Sequence, residues 1–184
     1  MSEKKLSHMR VAILASDGFE QAELEKPRKA LEEAGAKTFV IAPKSGKIQG
    51  FEHDEKGDKV SVDMTLDKAQ PNDFDAVLLP GGALNADFLR AEKKAQDFIR
   101  SIDQAKKPIA VIWLLVSAGL VKGRTMTSYH TIQDDIRNAG GSWKNEEVIR
   151  DGNWVSSRQP TDIPTFNREM IALFSEPTAK RAGA

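Results

Sequence analysis

The chain has 184 residues, 40% of them hydrophobic, enough for one domain with a core of useful size. Its 27 basic and 27 acidic side chains cancel, which removes any general electrostatic case for nucleic acid or an anionic membrane surface. It has no cysteine, so neither a disulfide nor a thiolate metal site is available, and no apolar run approaches the ~18 residues of a transmembrane helix.

The N-terminal stretch MSEKKLSHMR is polar and lacks the apolar centre of a secretory signal. The expectation is a cytoplasmic protein with a flexible leader over 1–8. RVAILAS (10–16) is a short apolar run of the kind buried on both faces of a sheet. DGFE then turns the chain into QAELEKPRKALEEAGA, whose Leu24, Pro27, Ala30, Leu31 and Ala34 fall near a helical period, with Gly35 as its stop. Pro27 removes one hydrogen bond inside that helix and leaves the carbonyl of Glu23 in need of a partner. KTFVIAP is a second strand. The Gly-rich, charged segment 44–69 reads as a hairpin or loop excursion, with β runs near Ile48 and Val60.

DFDAVLLPGG is a third buried strand closed by a Pro-Gly-Gly turn, and ADFLRAEKKAQDFIRSIDQAK predicts one or two helices. KPIAVI is the fourth long strand. Next come a short strand RTMTS, a helix TIQDDIRNAGG, and a hairpin EEVIRDGNWVSS turning at Asp151-Gly152. The final helix, TDIPTFNREMIALFSE, has Thr161 or Asp162 as its cap and Pro164 in its first turn. A flexible tail is expected over 175–184.

Strands alternating with helices imply a mainly parallel sheet covered on both faces, with 10–16, 37–42, 75–79 and 108–112 side by side. Sites in such sheets lie at the carboxyl ends of strands. Four places are thereby selected: SDGFE, PKSGK, PGGALNAD, and the junction after Ile112. The last is anomalous. In KPIAVIWLLVSAGLVKGR a strand ends at Ile112 and a short helix begins at once with Trp113, Leu114 and Leu115. Tight βα loops use about 2–6 residues, so no turn is left for the chain to reverse.

LASDGFEQAELEKPRKALEEAGA, DAVLLPGGALNADFLR, GLVKGRTMTSYHTIQDDIRNAGG and DGNWVSSRQPTDIPTFNREM, in that order, closely resemble the PfpI family of intracellular proteases and stress proteins, within the Parkinson-disease-protein-7 superfamily. The resemblance spans residues 9 to 174 as one domain. It implies a three-layer α/β/α sandwich of the flavodoxin-like, glutamine-amidotransferase-like kind. It also implies peptidase, glyoxalase-like or deglycase-like action on carbonyl, peptide or glycated substrates without a cofactor or metal, in a homodimer or larger assembly. In that family Cys-His-Gly-Pro or Cys-His-Ala-Pro stands between the residues matching Ile112 and Trp113, as the nucleophile elbow. Here the flanks match and the four residues are absent. Either this chain has lost its elbow, or residues of the natural protein are missing from the sequence. In the second case no peptide bond of about 1.33 Å joins Ile112 to Trp113.

Three residues carry the implied chemistry. Glu20 is an ordinary acid at a helix start; by resemblance it faces the cysteine and shares a proton with it. Gly81-Gly82 is a tight turn after a strand; by resemblance Gly82 offers its N–H to a substrate oxyanion. Asp87 is a helix-cap acid; by resemblance it reaches a neighbouring subunit's active-site histidine. His8 and His53 read as solvated, and His130 as a surface or capping histidine near Tyr129. Ser117, Thr127, Ser128 and Ser157 stand in no G-x-S-x-G context, and no His/Asp/Glu spacing suggests a metal site. The family reading is a cysteine-dependent hydrolase. Without the nucleophile, the alternative is a non-catalytic, chaperone-like member.

Overall fold

A computed structural model describes residues 5–112 and 116–177. The elements in chain order are β1 (Arg10–Leu14), β2 (Phe19–Glu20), α1 (Gln21–Glu33), β3 (Lys37–Ala42), β4 (Lys47–Glu52), β5 (Glu55–Ser61), β6 (Met64–Thr65) and β7 (Ala76–Leu79). They continue with α2 (Ala83–Ala91), α3 (Lys93–Gln104), β8 (Ile109–Val111), β9 (Thr125–Met126), α4 (Gln133–Asn138), β10 (Ser142–Trp143), β11 (Val148–Asp151), β12 (Trp154–Ser157) and α5 (Ile163–Ser175).

The main sheet has the order β11-β12-β8-β7-β1-β3-β6 and is parallel except for β11. The four predicted runs lie adjacent and parallel at its centre, with Ile13 opposite Val40 and Leu78, and Leu78 opposite Ala110. Alternation along these strands divides the core in two. Ala12, Leu14, Val77, Leu79 and Val111 pack with Leu89 of α2, Phe98 and Ile102 of α3 and Ile136 of α4. Val11, Ile13, Leu78 and Ala110 pack with Leu24 and Leu31 of α1 and Phe166 and Met170 of α5. Because both faces are covered, the strands carry apolar residues throughout instead of alternating with polar ones. Among the described residues no helix is long and apolar enough to cross a membrane.

The excursion is a β4–β5 hairpin with Ile48 opposite Val60, and β2 pairs with β4. The short DGFE segment thus turns within a small three-stranded sheet of its own. The Asp151-Gly152 turn forms as predicted.

Within the expected leader Leu6 is buried, and its N–H donates to the Ala34 carbonyl at 3.0 Å. At the other end Arg150 pairs with Glu176 at 2.8 Å; residues 178–184 lie outside the described part. The Asp162 side chain does not cap α5, because it binds Arg158. The short helix expected after β8 is present in its described part, in the tighter 3-10 form. Val116–Ala118 is one turn of 3-10 helix, held from α3 by Arg100, whose guanidinium donates to the Ala118 and Ser117 carbonyls at 2.9 and 3.3 Å. The Ile112–Trp113 junction itself lies outside the described residues.

Candidate active-site pocket

Two loops at the carboxyl end of the sheet meet with almost no space between them. Gly82 has φ +103°, and a Cβ there would fall 2.2 Å from the Gly18 carbonyl oxygen and 2.7 Å from the Glu20 nitrogen. A Cβ on Gly18 would fall 2.4 Å from the Leu84 Cβ. Only glycine permits both the left-handed backbone and this approach. Asn85, 1% exposed, locks the arrangement. Its amide donates to the Pro80 and Gly81 carbonyls at 3.0 and 3.1 Å, while its oxygen accepts the Ser16 N–H at 2.7 Å. The Glu20 N–H donates to the Gly81 carbonyl at 3.1 Å.

Beside this joint opens a cavity of ≈ 560 Å³ lined by Glu20, Glu23, Gly82, His53, Tyr129 and Arg158, among others. α2 begins at its wall. Its N-cap is Gly82, no side chain caps it, and its first turn carries no acid. Among the described residues the Gly82 N–H donates to nothing. A helix N-terminus with free amides is a seat for a carbonyl oxyanion or carboxylate.

Glu23 is the principal acid of the pocket. It sits one helical turn beyond Glu20, is 5% exposed, and accepts the Gly81 N–H at 2.8 Å. Burial, reinforced by the charge of Glu20 and opposed by the Gly81 hydrogen bond, pushes its pKa up to about 8. Near neutral pH its carboxyl is mostly protonated and can donate a hydrogen bond. Glu20, by contrast, is half-buried, and one of its oxygens accepts the His53 N–H at 3.0 Å. The signal for Glu23 was present in the sequence: it shares the buried stripe of α1 with Leu24, Pro27 and Leu31. An acid in an apolar stripe marks a site more strongly than an acid at a helix start.

Gly82 lies in the cavity wall, as its expected role needs. Asp87 does not. It is exposed on α2 and pairs loosely with Arg90 at 3.7 Å. His130 is exposed and stacks on Tyr129 with ring centroids 4.5 Å apart, and of the two only Tyr129 lines the cavity. His53 is exposed, as expected, and also lines the cavity from the β4–β5 tip. Sequence spacing offered no cue, because the hairpin fold alone brings it there.

The hydroxyls near the ends of β9 and β12 are committed elsewhere. The Ser156 oxygen accepts the Thr127 N–H at 3.1 Å, and the Ser157 hydroxyl donates to the Glu147 carbonyl at 2.7 Å. Thr127 donates to the Glu146 carbonyl at 2.8 Å. None is poised to replace a cysteine. Among the described residues no group of three His, Asp or Glu side chains is placed to hold a metal ion.

The DJ-1/PfpI family model matches residues 9–173. Over 169 residues the chain is 41% identical to the Thermococcus kodakarensis deglycase TK1284, covering 90% of this chain and 99% of that protein. It is 38% identical to the Bacillus subtilis putative cysteine protease YraA, with 89% and 97% covered. It is 36% identical to general stress protein 18 of the same organism, with 91% and 98% covered. The fold is that of Drosophila melanogaster DJ-1beta, with a TM-score of 0.80 at 24% identity and 92% of each chain covered.

Proposed function

This chain belongs to the DJ-1/PfpI family, and we propose that it acts in stress response by receiving small carbonyl or glycated compounds in the Glu20–Glu23–Gly82 pocket. As its 184 residues stand, without cysteine, the pocket binds such compounds but forms no covalent intermediate. The observation that carries this reading is the pairing, in one cavity, of a largely neutral buried acid with a backbone N–H that has no partner among the described residues. A carbonyl oxygen is matched by such donors, whether or not its carbon is then attacked.

With an elbow between Ile112 and Trp113, the same groups serve cysteine chemistry. The thiolate attacks the carbonyl carbon, and the electron pair of the C=O bond moves onto the oxygen, which the Gly82 N–H and the start of α2 stabilise. The Glu23 carboxyl, protonated, donates a hydrogen bond that favours the thiolate before attack. For an amide substrate the oxyanion then re-forms the C=O bond and expels the amine with a proton, leaving a thioester, and water attacks that thioester to release the acid and regenerate the thiol. In that form the chain is a cysteine hydrolase of the deglycase or protease kind, and without it a non-catalytic binder.

The experiment has two arms. Intact mass separates the two forms: a molecule heavier than 20.3 kDa by one Cys-His-Gly-Pro segment is the hydrolase, and one of 20.3 kDa is the binder, which should show no consumption of methylglyoxal and no release of it from a glycated amine. Insertion of Cys-His-Gly-Pro between Ile112 and Trp113 should then confer that activity, and Glu23→Ala in the inserted form should reduce it at least about tenfold. Turnover by the cysteine-free chain would overturn the binder reading, and an inert insertion variant of native fold would overturn the pocket assignment.

Self-association extends the proposal. Leu84 and Phe88 stand one turn apart on α2, each 53% exposed, with Asp87 beside them. A two-fold contact there would cover both side chains and bring Asp87 toward the partner. Light scattering should give a dimer or larger particle, and Phe88→Asp should shift it toward the monomer. A monomeric wild type removes this extension together with any role for Asp87 across subunits.

A further inference from the structure

Two successive peptide groups lead from β7 into α2, and they are held differently. The Pro80–Gly81 peptide is fixed on both sides: its carbonyl accepts from the Asn85 amide at 3.0 Å, and its N–H donates to Glu23 at 2.8 Å. The Gly81–Gly82 peptide is held at its carbonyl, which accepts from the Glu20 N–H and from the Asn85 amide, both at 3.1 Å. Its N–H, on Gly82, has no partner among the described residues. The peptide is trans, so its C=O and N–H point in opposite directions. Whatever holds the Gly81 carbonyl therefore also sets the direction of the Gly82 N–H. With glycine on either side, no Cβ opposes a turn of this peptide about its long axis.

We infer that Asn85 is a positioning residue: it holds the Gly81–Gly82 peptide in the orientation that leaves the Gly82 N–H to the cavity, and without it the peptide turns over and presents the Gly81 carbonyl there instead. The inference rests on the pocket reading above and concerns the aim of the donor, not what the donor receives. Asn85 is the third residue of α2 and is 1% exposed. Ser16 fixes which way its amide faces. A backbone N–H can only donate, so the side-chain oxygen must face Ser16, and the nitrogen is left to the two carbonyls. The residue thus ties the end of β1 to both peptides at once. An apolar side chain at 85 would leave the Gly81 carbonyl with the Glu20 N–H alone and the Pro80 carbonyl with no donor from α2. Such unmet groups, shut away from water, favour a rearranged loop.

Amide hydrogen exchange, followed by NMR on the full chain without ligand, reads this orientation. In the wild type the Glu20 N–H should be protected, and the Gly82 N–H should exchange as an unbonded amide. In Asn85→Ala the Glu20 protection should fall at least about tenfold while the amides of β1 and β7 keep theirs. A residue that only stabilises the fold would lower all of them alike. Asn85→Asp keeps the shape and the oxygen facing Ser16 but has at most one donor for two carbonyls, so its Glu20 protection should lie between those of Asn85→Ala and the wild type. It also serves should the alanine variant not fold. A Glu20 N–H unprotected in the wild type, or protection that survives both substitutions or falls only in step with β1 and β7, overturns the inference. Hydroxyacetone, added as a carbonyl probe, tests the pocket separately. It should shift the Gly82 amide resonance in the wild type and not in Asn85→Ala. An equal shift in both overturns the inference and keeps the pocket. No shift in the wild type, with the exchange pattern as expected, removes the pocket reading and leaves Asn85 as the lock on the peptide.

Discussion

Two buried carboxyls, at opposite ends of the sheet, are treated in opposite ways. Asp103, at the end of α3, lies beside the amino ends of β8 and β12. One of its oxygens accepts from Arg124 at 2.7 Å, the Trp154 indole at 2.6 Å and Asn153 at 3.1 Å. Arg124 also lies over the Trp154 ring at 4.5 Å. Glu23, at the carboxyl end, has one backbone N–H, a like charge nearby and an open cavity in front of it. A buried acid surrounded by donors ties elements together. A buried acid short of donors is held at a cost that packing alone does not explain, and it faces the place where a ligand goes.

The contrast can be broken most severely at Asp103. Asp103→Ala should cost about 3–5 kcal/mol in denaturant unfolding, because it removes the only carboxylate paired with Arg124 among the described residues, leaves the Trp154 indole without an acceptor, and deprives Asn153 of one of its two. A loss below 1 kcal/mol would mean that the network is no tie.

Glu23 should behave in the opposite sense. Its folded pKa of about 8 lies above the ordinary 4.5. Below pH 4.5 both folded and unfolded chains hold the proton, and stability is unaffected. As pH rises through the window from 4.5 to about 8, only the unfolded chain releases it, so stability falls. At about 1.4 kcal/mol per pH unit the full penalty is of the order of 5 kcal/mol. Glu23→Gln should therefore match the wild type near pH 4, exceed it by several kcal/mol near pH 8.5, and flatten the profile between them. Chemical denaturation across pH measures this, and parallel profiles for the two proteins would contradict it.

Gly82→Ala comes next. Its Cβ meets the Gly18 carbonyl at 2.2 Å on a backbone with φ +103°, so a loss of about 1–3 kcal/mol is expected, with loss of ligand binding. A variant that binds normally would show that the loop joint is not part of the pocket. The smallest effect belongs to Glu20→Gln. Half-buried and engaged by one N–H, Glu20 should alter stability by no more than about 1 kcal/mol, and its pH profile should keep the slope due to Glu23.

Periodicity alone placed the central strands, and it did so because a sheet covered on both faces demands unbroken apolar runs, of which 10–16, 75–79 and 108–112 are plain examples. Gly82 was legible for a related reason: Pro-Gly-Gly after a strand has few conformational uses. The role given to Glu20 comes from the resemblance alone; Glu23 falls on the apolar stripe of α1, and its burial is completed by how α1 sits against the Pro80–Gly82 turn. Leu6 was missed because a single apolar residue in a polar leader has no period to reveal it.

By itself, then, the sequence determined the layered α/β architecture, the loops at which a site must lie, and the lack of any thiol. Those properties follow from local pattern and composition, which neither folding nor neighbours can change. Only the tertiary structure decided that Glu23 is buried with its pKa raised, that Arg158 is paired with Asp162, that His53 joins the pocket and His130 does not, and that Asp87 stands apart from it. Each of these depends on through-space neighbours: desolvation at Glu23, the Asp162 carboxylate against Arg158, and a hairpin folded back over β2. Electrostatic character is a property of distance and burial, and residues far apart in the chain acquire it only when the fold brings them together.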